Sequence, residues 1–301
     1  MYRFFCRVIC KLRTIGCPVS DYLFVKALFF LTLGEKLDLK NPQKFNEKMQ
    51  WLKVHDHNPL YHKLVDKIEV KEYVSKIIGE KYVIKTLGIW DDFDSIEWDS
   101  LPSRFVLKTS SGGGSNGVVV CKNKEALDKK EARRKLEASM NYDIYKMMGE
   151  WVYKGIPQRI LAEECLEPRP IANDLPDFKF WCFNGEPKIL FYTSERFNNE
   201  NYPPFFDYYD MDLNRLPIKS GGHAVSPHNL TYFPQFEKMK EIARSLSANI
   251  PFVRVDLYLV DSVIYFGELT FYHDSGFVPL EPKEWDDKLG DLLKLPNHLN
   301  L

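Results

Sequence analysis

The sequence predicts an α+β protein with a helical N-terminal region, and two observations carry that prediction. Strand patterns arrive in pairs: 178–183 and 187–191 flank Asn184-Gly185, a strong hairpin signal, and 253–260 and 264–271 flank a short polar turn at Asp261-Ser262. Helical periodicity fills most of the first 78 residues. A doubly wound parallel sheet needs strands and helices in alternation, so paired strands set between helices point to α+β.

Residues 1–13 follow the 3.6 period, with Met1, Phe4, Phe5, Val8, Ile9 and Leu12 on one stripe and Arg3, Arg7 and Lys11 on another. Gly16 and Pro18 break this helix, and a second covers 21–33. Further helices are expected at 46–53 and 61–78, the latter with Tyr61, Leu64, Val65 and Ile68 on one stripe and Gly79 as its stop. After Trp90 an acidic segment (Asp91, Asp92, Asp94, Glu97, Asp99) leads to Pro102. Strands at 104–108 and 118–121 then bracket the loop 109–117, followed by a helix at 125–140, a strand at 159–166 and a helix at 236–248. There are no repeats.

A net charge of -1 excludes a global electrostatic footprint for nucleic acid. The six cysteines form no CxxC pair and have no metal-ligand spacing, and three sit in apolar or β-like runs, which reads as buried free thiols in a reducing compartment. His55 and His57 flank Asp56 with nothing nearby to complete a metal site. No stretch reaches the ~18 uninterrupted apolar residues of a membrane span, and no signal peptide is visible, so the expected location is cytoplasmic. The basic amphipathic pattern of 1–13 adds an expectation of peripheral contact with the inner face of the membrane.

The loop Thr109-Ser-Ser-Gly-Gly-Gly-Ser-Asn-Gly117 can bring backbone N–H groups close to phosphate oxygens, with Lys108 adding charge beside it. Its strand–loop–strand setting departs from a P-loop or a dinucleotide fingerprint, both of which open a helix. A flap over a nucleotide fits, as does a flexible surface turn.

The last hairpin is more specific. Val253, Val255, Leu257 and Leu259 share one face of its first strand, leaving Arg254 and Asp256 on the other. Tyr265, Leu269 and Phe271 share a face of the second, leaving Glu268 and Thr270 opposite. A strict two-residue turn at Asp261-Ser262 would set Val255 against Glu268. A slip by one pairs Val255 with Leu269, Asp256 with Glu268 and Arg254 with Thr270, and hydrophobic matching selects that register. Facing carboxylates repel, and such a pair calls for a divalent cation, with magnesium held together with phosphate oxygens, unless Arg254 neutralises it.

Here a family resemblance enters. The final hairpin, the 108–117 loop and the segment Ile160-Leu-Ala-Glu-Glu-Cys-Leu166 resemble the metal strands, phosphate flap and adenine hinge of ATP-grasp enzymes. More narrowly, Lys44-Phe-Asn-Glu-Lys48, Gln50-Trp-Leu52, Leu64-Val-Asp-Lys67, Phe178-Lys-Phe180 with Phe183-Asn-Gly185, and Phe266-Gly-Glu-Leu-Thr-Phe271 resemble the TupA-like ATP-grasp family, over about residues 35–295. That resemblance implies an ATP-grasp fold holding its nucleotide between two α+β lobes, divided as a helical region (1–60), a central lobe (61–105), a lobe with the flap (106–165) and a catalytic lobe with the metal hairpin (166–301). It also implies ATP and magnesium as cofactors.

By the same resemblance, Lys67 and Lys108 would hold phosphates under the flap (Ser111, Gly112, Gly113, Gly114, Asn116, Gly117). Glu163, Glu164 and the backbone near Leu166 would meet adenine and ribose. Lys179 would touch the terminal phosphate, Asp256, Glu268 and Thr270 would bind metal, and Arg254 would steady the acyl-phosphate or its transition state. Thr270 stands where many ATP-grasp enzymes have Asn. The following Phe271-Tyr-His-Asp-Ser-Gly276 lacks their usual Asn-x-x-Pro-Gly, leaving Ser275 and Gly276 as candidates for the acceptor side.

The activity implied is a carboxylate–amine ligase working through an acyl-phosphate. Its partners would be a carboxylate-bearing sugar, or a nucleotide- or lipid-linked glycan, and an amine such as an amino acid, in capsule or lipopolysaccharide biosynthesis. A glycosyltransferase using a nucleotide-sugar, or a non-catalytic nucleotide-binding scaffold, are the alternatives.

Overall fold

The computed structural model describes residues 2–113, 117–166, 175–195 and 204–296, with side chains described from Cys6 onward. The chain opens with helices α1 (Tyr2–Thr14), α2 (Asp21–Leu33), α3 (Phe45–His55), α4 (Leu60–Val65) and α5 (Val70–Ile78). Next come β1 (Thr86–Trp90), β2 (Phe105–Thr109), β3 (Val118–Cys121), α6 (Lys129–Met140), α7 (Ile144–Met148) and β4 (Ile160–Glu164). The remainder is β5 (Asp177–Phe183), β6 (Glu186–Ser194), β7 (Phe205–Tyr209), β8 (Arg215–Leu216), β9 (Lys219–Ser220), α8 (Phe236–Leu246), β10 (Phe252–Val260), β11 (Val263–Thr270), β12 (Leu280–Glu281) and α9 (Glu284–Leu292).

The strands form an antiparallel sheet ordered β1-β4-β2-β3, a second ordered β11-β10-β5-β6-β7-β8, and the small pair β12-β9. Each large sheet has its own core. Phe105, Leu107, Ile160 and Ala162 pack with Ala132 and Leu136 of α6 in the four-stranded lobe. The main core joins the six-stranded sheet to α2, α3, α5 and α8. β1 lies before residue 106 yet hydrogen-bonds to β4, so the smaller sheet spans the expected boundary between central and flap lobes.

In the six-stranded sheet, alternation sorts the side chains cleanly. Phe180 and Cys182 turn towards α8, where Phe180 meets Phe236 at 6.0 Å and the Cys182 Sγ reaches the Ala243 carbonyl at 3.8 Å. On the opposite face, Trp181, Phe183 and Phe252 surround Phe45 of α3, with ring centroids 5.1–5.9 Å away. That face is apolar only at this end; further along it carries charge.

Two expectations need correction. The single helix 61–78 is two helices, because the Asp66 carboxylate accepts from the N–H groups of Ile68 and Glu69 (2.8 and 3.3 Å). The Lys67 N–H leaves the helical ladder for the Ser110 carbonyl at 2.8 Å. Tyr265 also lies on the other face from the one expected, opposite Tyr258, and Phe266 joins Leu269 in the apolar layer instead. Its cause is a β-bulge at Gly267.

That bulge reconciles two demands that seemed exclusive. Asp261 and Ser262, at φ 49° and 67°, make the strict two-residue turn, yet Arg254 faces Thr270, Val255 faces Leu269 and Asp256 faces Glu268. One extra residue between the turn and the site shifts the register by one. A Cβ at position 267 would sit 3.1 Å from the Asp256 carbonyl, which leaves little room for a side chain.

Cys10, Cys121 and Cys182 are buried free thiols. Among the described residues, no helix is long and apolar enough to cross a membrane.

Candidate active site

The charged part of the six-stranded sheet is a row across three adjacent strands. Glu268 on β11 stands beside Asp256 on β10, which stands beside Lys179 on β5. Two residues along, Thr270, Arg254 and Trp181 form the parallel row. Lys179 alternates with Phe178 and Phe180, so its ammonium emerges on the face away from α8, 2.7 Å from Asp256 and 2.9 Å from Asp177.

Arg254 ties the row together. Its Nε lies 2.7 Å from one Asp256 oxygen, and its Nη2 lies 2.7 Å from the other and 3.3 Å from Glu268. Its Nη1 donates to His273 Nδ1 at 3.0 Å, which places the imidazole proton on Nε2, 3.2 Å from Asp274. The guanidinium is thus oriented from both sides. Burial pushes the Glu268 carboxyl up, but Lys67, Arg254 and Lys179 outweigh it and hold it at about 2.

Lys67 arrives from the break between α4 and α5. Its Nζ lies 3.3 Å from Glu268 and donates to the Gly112 carbonyl at 2.5 Å, so one lysine links the glycine-rich loop and β11. Gly112 and Gly117 are packed close: a Cβ on either would lie 2.2–2.3 Å from the Thr109 hydroxyl. Ser111 turns inward to Gln158 at 2.8 Å, and Gly113 is exposed. Gly114 and Asn116 lie outside the described residues.

On the smaller sheet, Glu163 is buried and receives Lys108 and Lys71, each at 2.6 Å. Burial raises the Glu163 carboxyl, and the two ammonium groups more than reverse this. Glu164 points the other way into solvent, and Leu166 is half-buried. Lys71, Asp177 and His273 escaped the sequence reading. Asp177 left a signal, since residues two apart on a strand share a face and 177 is two before Lys179.

Ser275 holds its own turn. Asp274 and Ser275 have φ of 46° and 54°, a left-handed pair uncommon for non-glycine residues. The Ser275 carbonyl accepts from Lys53 (2.6 Å) and Gln50 (3.0 Å), and its hydroxyl donates to buried Glu150. Burial lowers the Lys53 ammonium to about 7 and raises Glu150. A lysine depressed in the folded state binds fewer protons than in the unfolded chain, so its charging opposes folding below its unfolded pKa. Stability relative to Lys53→Met should therefore rise from about pH 7 towards pH 10, read by urea unfolding at several pH values. A flat difference would mean Lys53 is not depressed.

Asp256, Glu268 and Thr270 offer hard oxygen donors on neighbouring strands, with Thr270 Oγ1 3.3 Å from Glu268. The Arg254 Nη2 already bridges both carboxylates and compensates part of their negative charge at that point. Among the described residues no third acidic, histidine or cysteine ligand converges there. The donor set fits magnesium completed by phosphate and water oxygens better than an all-protein cage.

Two antiparallel sheets with a glycine-rich flap on one and paired carboxylates on the other define the ATP-grasp class. The profile of the TupA-like ATPgrasp family matches residues 47–294. The chain belongs to that family.

Solved structures of similar fold include the D-alanine-D-alanine ligase of Helicobacter pylori, at 16% identity and TM-score 0.43, covering 77% of this chain and 61% of that one. The D-alanine-D-alanine ligase of Coxiella burnetii is 12% identical with TM-score 0.42, covering 83% and 64%. The ADP complex of purK, an N5-carboxyaminoimidazole ribonucleotide synthetase, is 16% identical with TM-score 0.41, covering 82% and 56%. The chain therefore spans about three fifths of the length of these proteins. No curated protein matches the sequence.

Proposed function

We propose that this chain is an ATP- and magnesium-dependent carboxylate–amine ligase that modifies a uronic acid or another sugar carboxylate during surface-polysaccharide assembly in the cytoplasm. The observation that carries the chemistry is the paired row: Lys67, Arg254 and Lys179 sit in direct contact with Glu268, Asp256 and Asp177. Such a site suits an exchange. Lys67, Arg254 and Lys179 would turn to a nucleotide's phosphates, and Asp256, Glu268 and Thr270 would hold magnesium, which would supply charge neutralisation on the phosphates.

The substrate carboxylate then attacks the γ-phosphorus as the bond to ADP breaks, with Lys179 and Arg254 holding the transferring phosphoryl oxygens. An amine attacks the acyl carbon, phosphate departs, and loss of the amine proton leaves an amide. The association of the resembled family with bacterial surface polysaccharides supports the sugar carboxylate.

The test is ADP release by the purified chain with candidate uronic acids and amines. Release should require both, and hydroxylamine should intercept the acyl-phosphate as a hydroxamate. Consumption of a nucleotide-sugar with ATP untouched would establish a glycosyltransferase instead. Nucleotide binding without turnover for any pair would leave a scaffold.

A further inference from the structure

We infer that the outer face of the α1–α2 hairpin docks on an anionic lipid bilayer. The hairpin precedes the region matched by the family profile. α2 is apolar almost all round, a pattern expected of a helix covered on every side. The body covers one side only, through Phe24, Val25, Leu28 and Phe29. Leu23 and Phe30 on the other side are 62% and 59% exposed.

α1 repeats the arrangement. Cys10 and Arg13 face inward and Cys6 and Ile9 pack partly against the core, whereas Val8, Leu12 and the following Ile15 face out. This differs from the expected stripe, in which Ile9 shared a face with Val8 and Leu12. Phe4 and Phe5 lie outside the residues whose side chains the structure describes. Both helices therefore present apolar side chains away from the body.

Charge selects the occupant. Arg7 and Lys11 are exposed beside the apolar stripe of α1, and Lys26 lies at the margin of that of α2. The single acidic residue in these helices, Asp21, is engaged by Arg13 and accepts from the Tyr145 hydroxyl at 3.1 Å. An apolar stripe with a basic flank is the signature of a helix lying in a lipid interface, where anionic headgroups attract lysine and arginine. A second copy of the chain fits less well, because a two-fold contact would bring the same basic flank towards itself.

Co-sedimentation of the full chain with vesicles tests this. Binding to mixed phosphatidylcholine–phosphatidylglycerol vesicles should exceed binding to phosphatidylcholine alone. Leu23→Glu with Phe30→Glu should cut it at least ~10-fold, because those anchors would be lost. Arg7→Gln with Lys11→Gln should cut it by about 25-fold, since each basic group near the surface contributes roughly a factor of five. All four side chains face solvent, so both double variants should keep the parent's thermal melt. Equal binding to both vesicle types, no binding, or a lipid-free dimer abolished by the Leu23 and Phe30 changes would each overturn the inference.

Discussion

Glu268→Gln should lower ATP turnover by at least ~10³-fold, equivalent to roughly 4 kcal/mol of transition-state stabilisation, with little change in the melt. Glutamine keeps the shape of the side chain but removes a charge that Lys67, Arg254 and Lys179 hold ionised down to about pH 2. The carboxylate pair would be halved, and Lys67 would keep the Gly112 carbonyl but lose its counter-charge. The side chain is 28% exposed, so water can solvate what the exchange leaves behind. Steady-state ADP release and a thermal melt on the same preparation check both halves. A variant retaining a tenth of parental turnover would remove Glu268 from the metal site.

The second large effect falls on stability. Asp256→Asn should cost about 3–4 kcal/mol, because it takes the shared counter-ion from two cations whose side chains are only 13% and 11% exposed. The Asp256 side chain is 2% exposed and contacts both Arg254 and Lys179 at 2.7 Å. Asp177 remains to Lys179 and Glu268 to Arg254, which keeps the loss below that of a fully orphaned charge. Combining Asp256→Asn with Lys179→Met should cost roughly 1–2 kcal/mol less than the sum of the single changes, since the two share one interaction. Urea unfolding of the four proteins gives the coupling. Additive losses would mean that the contact contributes nothing.

Much of the catalytic sheet was legible because side-chain period and apolar matching act over a few residues. The facing of Asp256 and Glu268 followed from pairing Val255 with Leu269, and Lys179 was placed by its alternation with Phe178 and Phe180. What stayed hidden depended on distant partners. The break at Asp66 looks like helix interior until Arg159, 93 residues away, is seen 2.9 Å from its carboxylate. Lys71 resembles any surface lysine of a helix, yet tertiary packing sets it on Glu163, the Ile84 carbonyl and Thr86. β1 contains Gly88, a weak strand former, and exists because β4 supplies its ladder while the Trp90 ring occupies the space a Cβ at Gly88 would need. His273 was lost in a segment judged by its departure from a familiar pattern, though it is the residue that reaches Arg254.

The bulge at Gly267 makes the hairpin a phase-shifted pair: turn and charge row are each internally regular but out of step by one residue. Ironing the bulge out with Gly267 kept would carry the turn's regular ladder through the strand, and Glu268 would then face Val255 with its carboxylate turned into the apolar layer. Local sheet quality and site geometry are therefore opposed at this position. Deleting Gly267 would remove the extra residue and keep Glu268 opposite Asp256, whereas a ladder that pairs Gly267 inverts the site. The irregularity is the part of this hairpin that selection for a well-formed sheet alone would discard.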